Sequence, residues 1–358
     1  MQETATSHGP TTGPLTYDEL GLAVRNHSLP LEALRWDTTP IGLHYLLIHF
    51  DIPAVDPDAW RLRIGGRVRR PMELDLDDIK ARPTQTVPVT MECAGNGRAL
   101  LDPRPLSQPW LGQGVGTAEW TGTPLAPILA DAGIEADAVD LVFGGADHGI
   151  QGDVEHDYER GLSISQATRP EVMLVHAMNG GPLPPQHGFP LRLLVPGWYG
   201  MTSVKWLTSI TAITAPFAGY QQITSYRYKV DADDPGQPVE RMRVRALMIP
   251  PGMPDYFTRR RFVDAGPVRI RGRAWSGAGP ITKVEVGAGG TWAEAELDAP
   301  LGDHAWRGWS FDWDAVPGEG ELLCRATDAS GAVQPDDPPW NYQGMGNNAV
   351  QRVRVTVR

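Results

Sequence analysis

MNGGPLPPQHGFPLRLLVPGWYGMTSVKWL, residues 178–207, breaks into short apolar runs divided by glycine and proline. Leu191 to Val195 and Val204 to Thr214 read as strands, because their aliphatic and β-branched side chains suit a pleated surface. Glycine (40) and proline (33) are abundant throughout, which favours short strands joined by many turns over long helices.

Outward from this stretch the pattern continues. Thr86 to Met91, Val139 to Phe143 and Val172 to His176 are further strand candidates, and helical patterns are confined to Tyr17 to Asn26, Leu76 to Ala81 and Thr123 to Gly133. The last carries Pro124 near its start and Gly133 as its stop. The mixture predicts an α+β or mixed α/β fold. Beyond the proline-rich Ile249 to Pro254, the runs VRIRGRAW, ITKVEVG, WRGWSFDW, ELLCRATD and VQRVRVTV alternate at period two, the signature of a β-sandwich of about 100 residues. The border falls between Phe217 and Tyr256, giving a first domain at 1–235 and a second at 236–358. Trp275, Trp292, Trp306, Trp309 and Trp313 are its expected core or interface anchors.

The chain of 358 residues, 41% hydrophobic, can bury more than one core. No run approaches the roughly 20 apolar residues of a membrane span, and MQETATSHGPTTGPLTYDEL lacks the order of a secretory signal, so a cytoplasmic location is expected. A formal net charge of −11 disfavours nucleic acid or an anionic membrane as partner. Arg259, Arg260 and Arg261, flanked by Asp255 and Asp264, read as a solvated loop or a subunit contact.

Only two cysteines are present, too few for a disulfide framework. Cys324 lies in an alternating strand as a small apolar group. Cys93 is different: VTMECAGNGR, residues 89–98, puts it where a strand opens into a glycine turn, with Arg98 five residues on. Thiolate is a soft, donating ligand for a transition metal, and turn N–H groups stabilise its charge. The P-loop, zincin, CxxC and GxSxG patterns are all missing.

MECAGNGR, the stretch at 178–207, RAWSG and the late PPWN together resemble the sulfite oxidase family of molybdenum–pterin oxidoreductases across almost the whole chain. The resemblance implies a molybdopterin-binding catalytic domain followed by an immunoglobulin-like dimerisation domain. It implies a molybdenum–molybdopterin cofactor ligated by the Cys93 thiolate, with His49, Asp147, His187, Arg192, Ser203, Val204 and Lys205 as pterin contacts. Tyr226 and Arg98 would be the catalytic partners of Cys93, and the protein a homodimer.

Two departures bear on the substrate. Sulfite-oxidising members of the family carry arginines where this chain has Leu47 and Gln343. Each charge-assisted hydrogen bond lost is worth about 1.5–3 kcal/mol, so the expected pocket, lined by Leu47 and Gln343, suits a less charged or larger small-molecule substrate. The expected activity is oxygen-atom or two-electron transfer, with electrons leaving to an external carrier because the sequence has no CxxCH haem site. A reductase of nitrate or of an S- or N-oxide is the alternative within the enzyme class, and an inactive dimeric scaffold the alternative outside it.

Overall fold

The computed structural model describes residues 9–358 and contains two five-stranded sheets, a two-stranded ribbon and a pair of facing sheets. The first sheet runs Met72–Leu74, Leu62–Gly66, Leu207–Ile213, Asp140–Gln151, Val154–Ser163 from edge to edge. Its one parallel pairing joins Leu62–Gly66 to Leu207–Ile213. The second sheet carries Gln85–Glu92, Val115–Pro124 and Met173–Met178 in antiparallel order, with Gly181–Pro182 and Arg192–Leu194 both paired to Met173–Met178.

Period-two alternation gives the second sheet two apolar faces. Leu174 and Leu193 turn toward a core shared with Phe143, Ile210 and the helix Leu125–Ala132. Met173, Val175 and Leu194 turn the other way, toward Val89, Met91, Trp120 and Cys93. A strand buried on both faces can carry only apolar side chains, which is why Met173–Met178 is nearly all hydrophobic.

The helix Leu125–Ala132 starts two residues later than Thr123, because Thr123 and Pro124 end the strand Val115–Pro124. It stops at Gly133, whose φ of 69° suits a residue without Cβ. The helix Tyr17–Arg25 opens on a capping box between Thr16 and Glu19. Sequence periodicity misses Val154–Ser163, because its exposed face is charged and its partner, not its own text, makes it a strand.

Four strands, Arg245–Met248, Gly266–Trp275, Arg307–Ala315 and Glu296–Leu297, form one sheet of the C-terminal sandwich. Six others form its mate, including Ile281–Ala288, Gly318–Asp328 and Gln351–Val357. Cys324 and Trp309 lie in the core between them, and both cysteines are free and buried. Trp275 and Trp306 have another use: they pack with Ala94, Val115, Tyr199 and Tyr226 where the sandwich meets the first sheets. Arg261 is no solvated loop residue either, being 4% exposed and paired with Glu32 from the N-terminal part of the chain at 3.5 Å. No helix among the described residues is long and apolar enough to cross a membrane.

Candidate active site

Cys93 follows directly on the strand Gln85–Glu92. Its N–H donates to the Gly114 carbonyl at 2.8 Å, and its own carbonyl accepts from Asn96 N–H at 3.0 Å, closing the turn. The Asn96 side chain accepts from Gly114 N–H at 2.8 Å and donates to Glu92 Oε1 at 2.8 Å. Glu92 is buried with Arg245 at 3.2 Å and accepts from the Trp275 indole at 2.9 Å, so the sandwich holds the base of the loop. Burial pushes the Cys93 thiol above its usual range, while the Arg98 charge, the Gly95 N–H and the Trp110 indole pull it back.

Two cavities meet at this sulfur. The first encloses about 660 Å³ of non-atom space, counted to its open mouth, and is lined by His44, Asp147, His187, Arg192 and Lys205. The second encloses about 850 Å³ on the same measure and is lined by Leu22, Ile48, Phe50, Trp110, Gln151 and Met345, with Arg98 at its wall. Leu47, His49, Cys93 and Tyr226 line both.

The first cavity has an excess of buried positive charge. Arg192 Nη1 and Nη2 donate to the carbonyls of His187 and Ser203 at 2.9 and 3.0 Å, and its guanidinium lies 5.0 Å above the Trp120 ring. Burial lowers it to about 10. Lys205 Nζ donates to Leu47 O at 2.8 Å and Gln186 O at 3.3 Å, and burial together with Arg192 pushes its ammonium well below the usual lysine range. Asp147 sits in a bulge of the long hairpin, 3% exposed, its carboxyl raised by burial against the pull of Lys205. His187 falls to about 2 and His44 to about 4, each chiefly through burial, so both rings are neutral near pH 7.

Three of these groups have polar atoms without partners among the described residues: Arg192 Nε, Asp147 Oδ1 and His44 Nε2. Buried polar atoms are almost always bonded, so such a cluster around a cavity fits a ligand that is anionic at one end and rich in donors and acceptors at the other. A pterin bearing a phosphate meets both requirements. No three His, Cys, Asp or Glu side chains converge among the described residues, so a metal at Cys93 would take its other ligands from such a cofactor.

Within this geometry the two family models match back to back. The oxidoreductase molybdopterin-binding domain matches residues 49–221, and the Mo-co oxidoreductase dimerisation domain matches residues 237–358. The chain belongs to the sulfite oxidase family. It is 33% identical to the mitochondrial sulfite oxidase of Rattus norvegicus over 344 residues, covering 89% of this chain and 61% of that one. It is 32% identical to nitrate reductase [NADH] 1 of Oryza sativa subsp. japonica over 355 residues, covering 89% of this chain and 38% of that one. The chain thus spans about three-fifths or less of these relatives. The crystal structure of the sulfane dehydrogenase SoxCD from Paracoccus pantotrophus shares the fold, with a TM-score of 0.80, 24% identity, and coverage of 100% of this chain and 95% of that one.

The structure of this family member brings His49, Cys93, Asp147, His187, Arg192, Ser203, Lys205 and Tyr226 to the first cavity. Ser203 is held by its hydroxyl, which accepts from Val195 N–H at 3.1 Å. Val204 points into the apolar core, and its N–H and C=O are bonded to Thr202 and Leu193. Arg98 lies beside the second cavity, but its guanidinium already donates to Gln343 O and Gln108 O at 3.0 Å each and reaches Met345 Sδ at 3.5 Å.

Of the two departures, Leu47 lines both cavities as expected, whereas Gln343 lines neither. The Gln343 side-chain amide is occupied on the main chain at Thr224 and Arg227. His44, Tyr45 and Tyr158 are cavity residues that sequence reasoning missed. His44 had a faint signal in LHYLLIHF, five residues before His49, and Gly116 is its structural counterpart: a Cβ there would stand 2.5 Å from the His44 ring.

Proposed function

We propose that this protein is a molybdenum–molybdopterin oxidoreductase of oxygen-atom or two-electron transfer, acting on a substrate larger or less charged than sulfite. The observation that carries this is the placement of Cys93 at the junction of a cationic cavity with several unpartnered polar atoms and a second one whose single cation, Arg98, is already bonded to main-chain carbonyls.

Arg192 and Lys205 would balance the phosphate of the cofactor. Asp147, His44, His187 and the Ser203 segment would bond its ring edges, His49 would close the side toward the substrate, and Cys93 would ligate the metal. The contribution of Val204 to this set would be steric, through its place in the core. Bound there, the cofactor supplies the two-electron couple and the oxygen-transfer chemistry.

The chain's own residues prepare the substrate side. Burial and the Cys93 sulfur raise the Tyr226 phenol to about 12, so it holds its proton at neutral pH and can donate it to an oxygen beside Cys93. Arg98 supplies a fixed positive charge whose orientation is set by its bonds to Gln108 and Gln343. Leu22, Leu47, Phe50 and Trp110 exclude water and offer a dianion no further cation.

A division at 235/236 is supported by the gap at 222–236 between the two matched regions, within which it falls, and the ribbon Arg227–Tyr228 with Gln237–Pro238 spans it. A homodimer through 236–358 is supported by the dimerisation-domain match. An external electron carrier accepts or supplies electrons. Two free cysteines are compatible with a cytoplasmic location. The similarity to a nitrate reductase favours, as a second reading, the reductive direction on nitrate or an S- or N-oxide.

The test is the molybdenum-to-protein ratio in material from a cofactor-competent host, together with steady-state turnover of sulfite, nitrate and dimethyl sulfoxide. A ratio near unity with poor sulfite turnover at low concentration supports the proposal. Efficient sulfite oxidation would overturn the substrate assignment, and metal-free protein would overturn the whole reading in favour of an inactive scaffold.

A further inference from the structure

Tyr226 has a φ of 55°, in the left-handed region that a residue with a bulky side chain rarely occupies. Its flanking residues share one partner. Gln343 Oε1 accepts from Arg227 N–H at 2.9 Å, and Gln343 Nε2 donates to the Thr224 carbonyl at 2.8 Å. The two bonds straddle the left-handed residue and tie down the main chain on both sides of it, alongside the Val239 N–H that donates to Tyr226 O at 3.0 Å.

The segment that supplies Gln343 also holds the metal-side loop. Gln343 O accepts from Arg98 Nε at 3.0 Å, Gly346 N–H donates to Ala94 O at 2.7 Å, and Asn347 Nδ2 donates to Gly97 O at 2.7 Å. One stretch of five residues therefore grips both the loop after Cys93 and the turn bearing Tyr226.

We propose that Gln343 is the positioning residue for Tyr226: its amide holds the turn that fixes the phenol relative to the Cys93 loop. The proposal rests on the reading of this centre as an oxidoreductase site. It explains the residue type. The bonding pattern needs a donor and an acceptor on one side chain; arginine only donates and an ionised glutamate only accepts. The arginine that the family resemblance places here could not hold this turn in the same way, so its replacement is an exchange of one task for another and not simply a charge lost from the pocket.

The test uses the full-length, molybdenum-loaded protein and the variants Gln343→Met, which keeps the volume, and Gln343→Arg. Three quantities are read: molybdenum content, hydrogen exchange of the Arg227 amide, and kcat and KM with sulfite and ferricyanide or with dimethyl sulfoxide and a reduced viologen dye. Both variants are expected to fold and keep their molybdenum. In Gln343→Met the Arg227 amide should exchange about three- to tenfold faster, as loss of one net hydrogen bond implies. In both variants kcat should fall by about ten- to a hundredfold, the effect of a misplaced group, with KM much less affected.

Unchanged exchange at Arg227 with unchanged kcat in Gln343→Met would overturn the proposal. So would a Gln343→Arg protein with higher sulfite turnover and a wild-type exchange rate, because Gln343 would then be only a missing pocket cation. If the wild-type protein binds no molybdenum, the functional reading fails separately, and Arg227 exchange in the metal-free protein still decides whether Gln343 holds the turn.

Discussion

On one side of Cys93, Arg192, Asp147 and His44 each present a buried polar atom with no partner among the described residues. On the other side, Arg98 directs its donors to the carbonyls of Gln108 and Gln343 and to the Met345 sulfur, and the remaining wall mixes Leu22, Ile48 and Phe50 with the neutral polar Asn26, Ser107 and Gln151, the Trp110 indole N–H being its one unpartnered buried polar atom among the described residues. The distinction is in what each leaves unfinished. Unsatisfied buried polarity is costly and indicates a ligand that completes it, whereas a wall with a single unpartnered donor and its one cation already bonded selects its occupant more by shape and desolvation.

Removing the atom common to both cavities should have the largest effect. Cys93→Ser is expected to fold with normal circular dichroism and to lose turnover by more than about a hundredfold, since even the loss of a group supporting a metal ligand commonly costs 10–100-fold. Turnover near the wild-type level would remove Cys93 from the metal. Next comes the unfinished side: Arg192→Met should lower cofactor retention by about tenfold or more, from the loss of charge-assisted bonds. Molybdenum content after dialysis is the measurement, and full occupancy would show that the cationic wall does not hold the phosphate.

The finished side gives a smaller and opposite change. Leu47→Arg puts a cation into the second cavity without touching the Leu47 carbonyl that Lys205 uses. The KM for sulfite should fall by about tenfold, and a KM that stays put would mean that Leu47 is not the reason the pocket disfavours a dianion.

The smallest effect is on stability against pH. His44 and His187 have folded values of about 4 and about 2, below the ordinary 6.5, so the stability they contribute is present above pH 6.5 and is lost as pH falls through that range. Lys205, also lowered, makes stability increase on the alkaline side, while the raised Asp147 acts in the opposite sense in acid. Metal-free protein should therefore melt a few degrees lower at pH 5 than at pH 7. Cofactor-loaded protein should show a smaller difference, because a bound anion offsets the burial of positive charge. Equal pH dependence in the two forms would break the contrast between the cavities.

Much of this was legible in the sequence for physical reasons. The period-two runs of the sandwich, the apolar Met173–Met178 and the glycine stop of Leu125–Ala132 are local patterns, and local patterns survive in the text. Residues such as His187, Arg192 and Lys205 were found through their resemblance to a family motif, since a single histidine or lysine announces nothing. His44, Tyr158 and the strand Val154–Ser163 were missed because their roles depend on partners far along the chain. Gln343 was the clearest case: its position suggested a pocket wall, yet its amide is turned onto the main chain of another segment.

The sequence by itself determined the class of each segment and the chemistry that its side chains can perform, because backbone propensity, turn geometry and donor type are properties of residues and their near neighbours. Only the tertiary structure decided which groups share a cavity, which buried polar atoms lack partners, and which side of Cys93 is charged. Those depend on contacts such as Arg98 with Gln343 and Glu92 with Arg245, which join residues 245 and 153 positions apart. At that separation no local pattern in the chain specifies the pairing; burial and packing do.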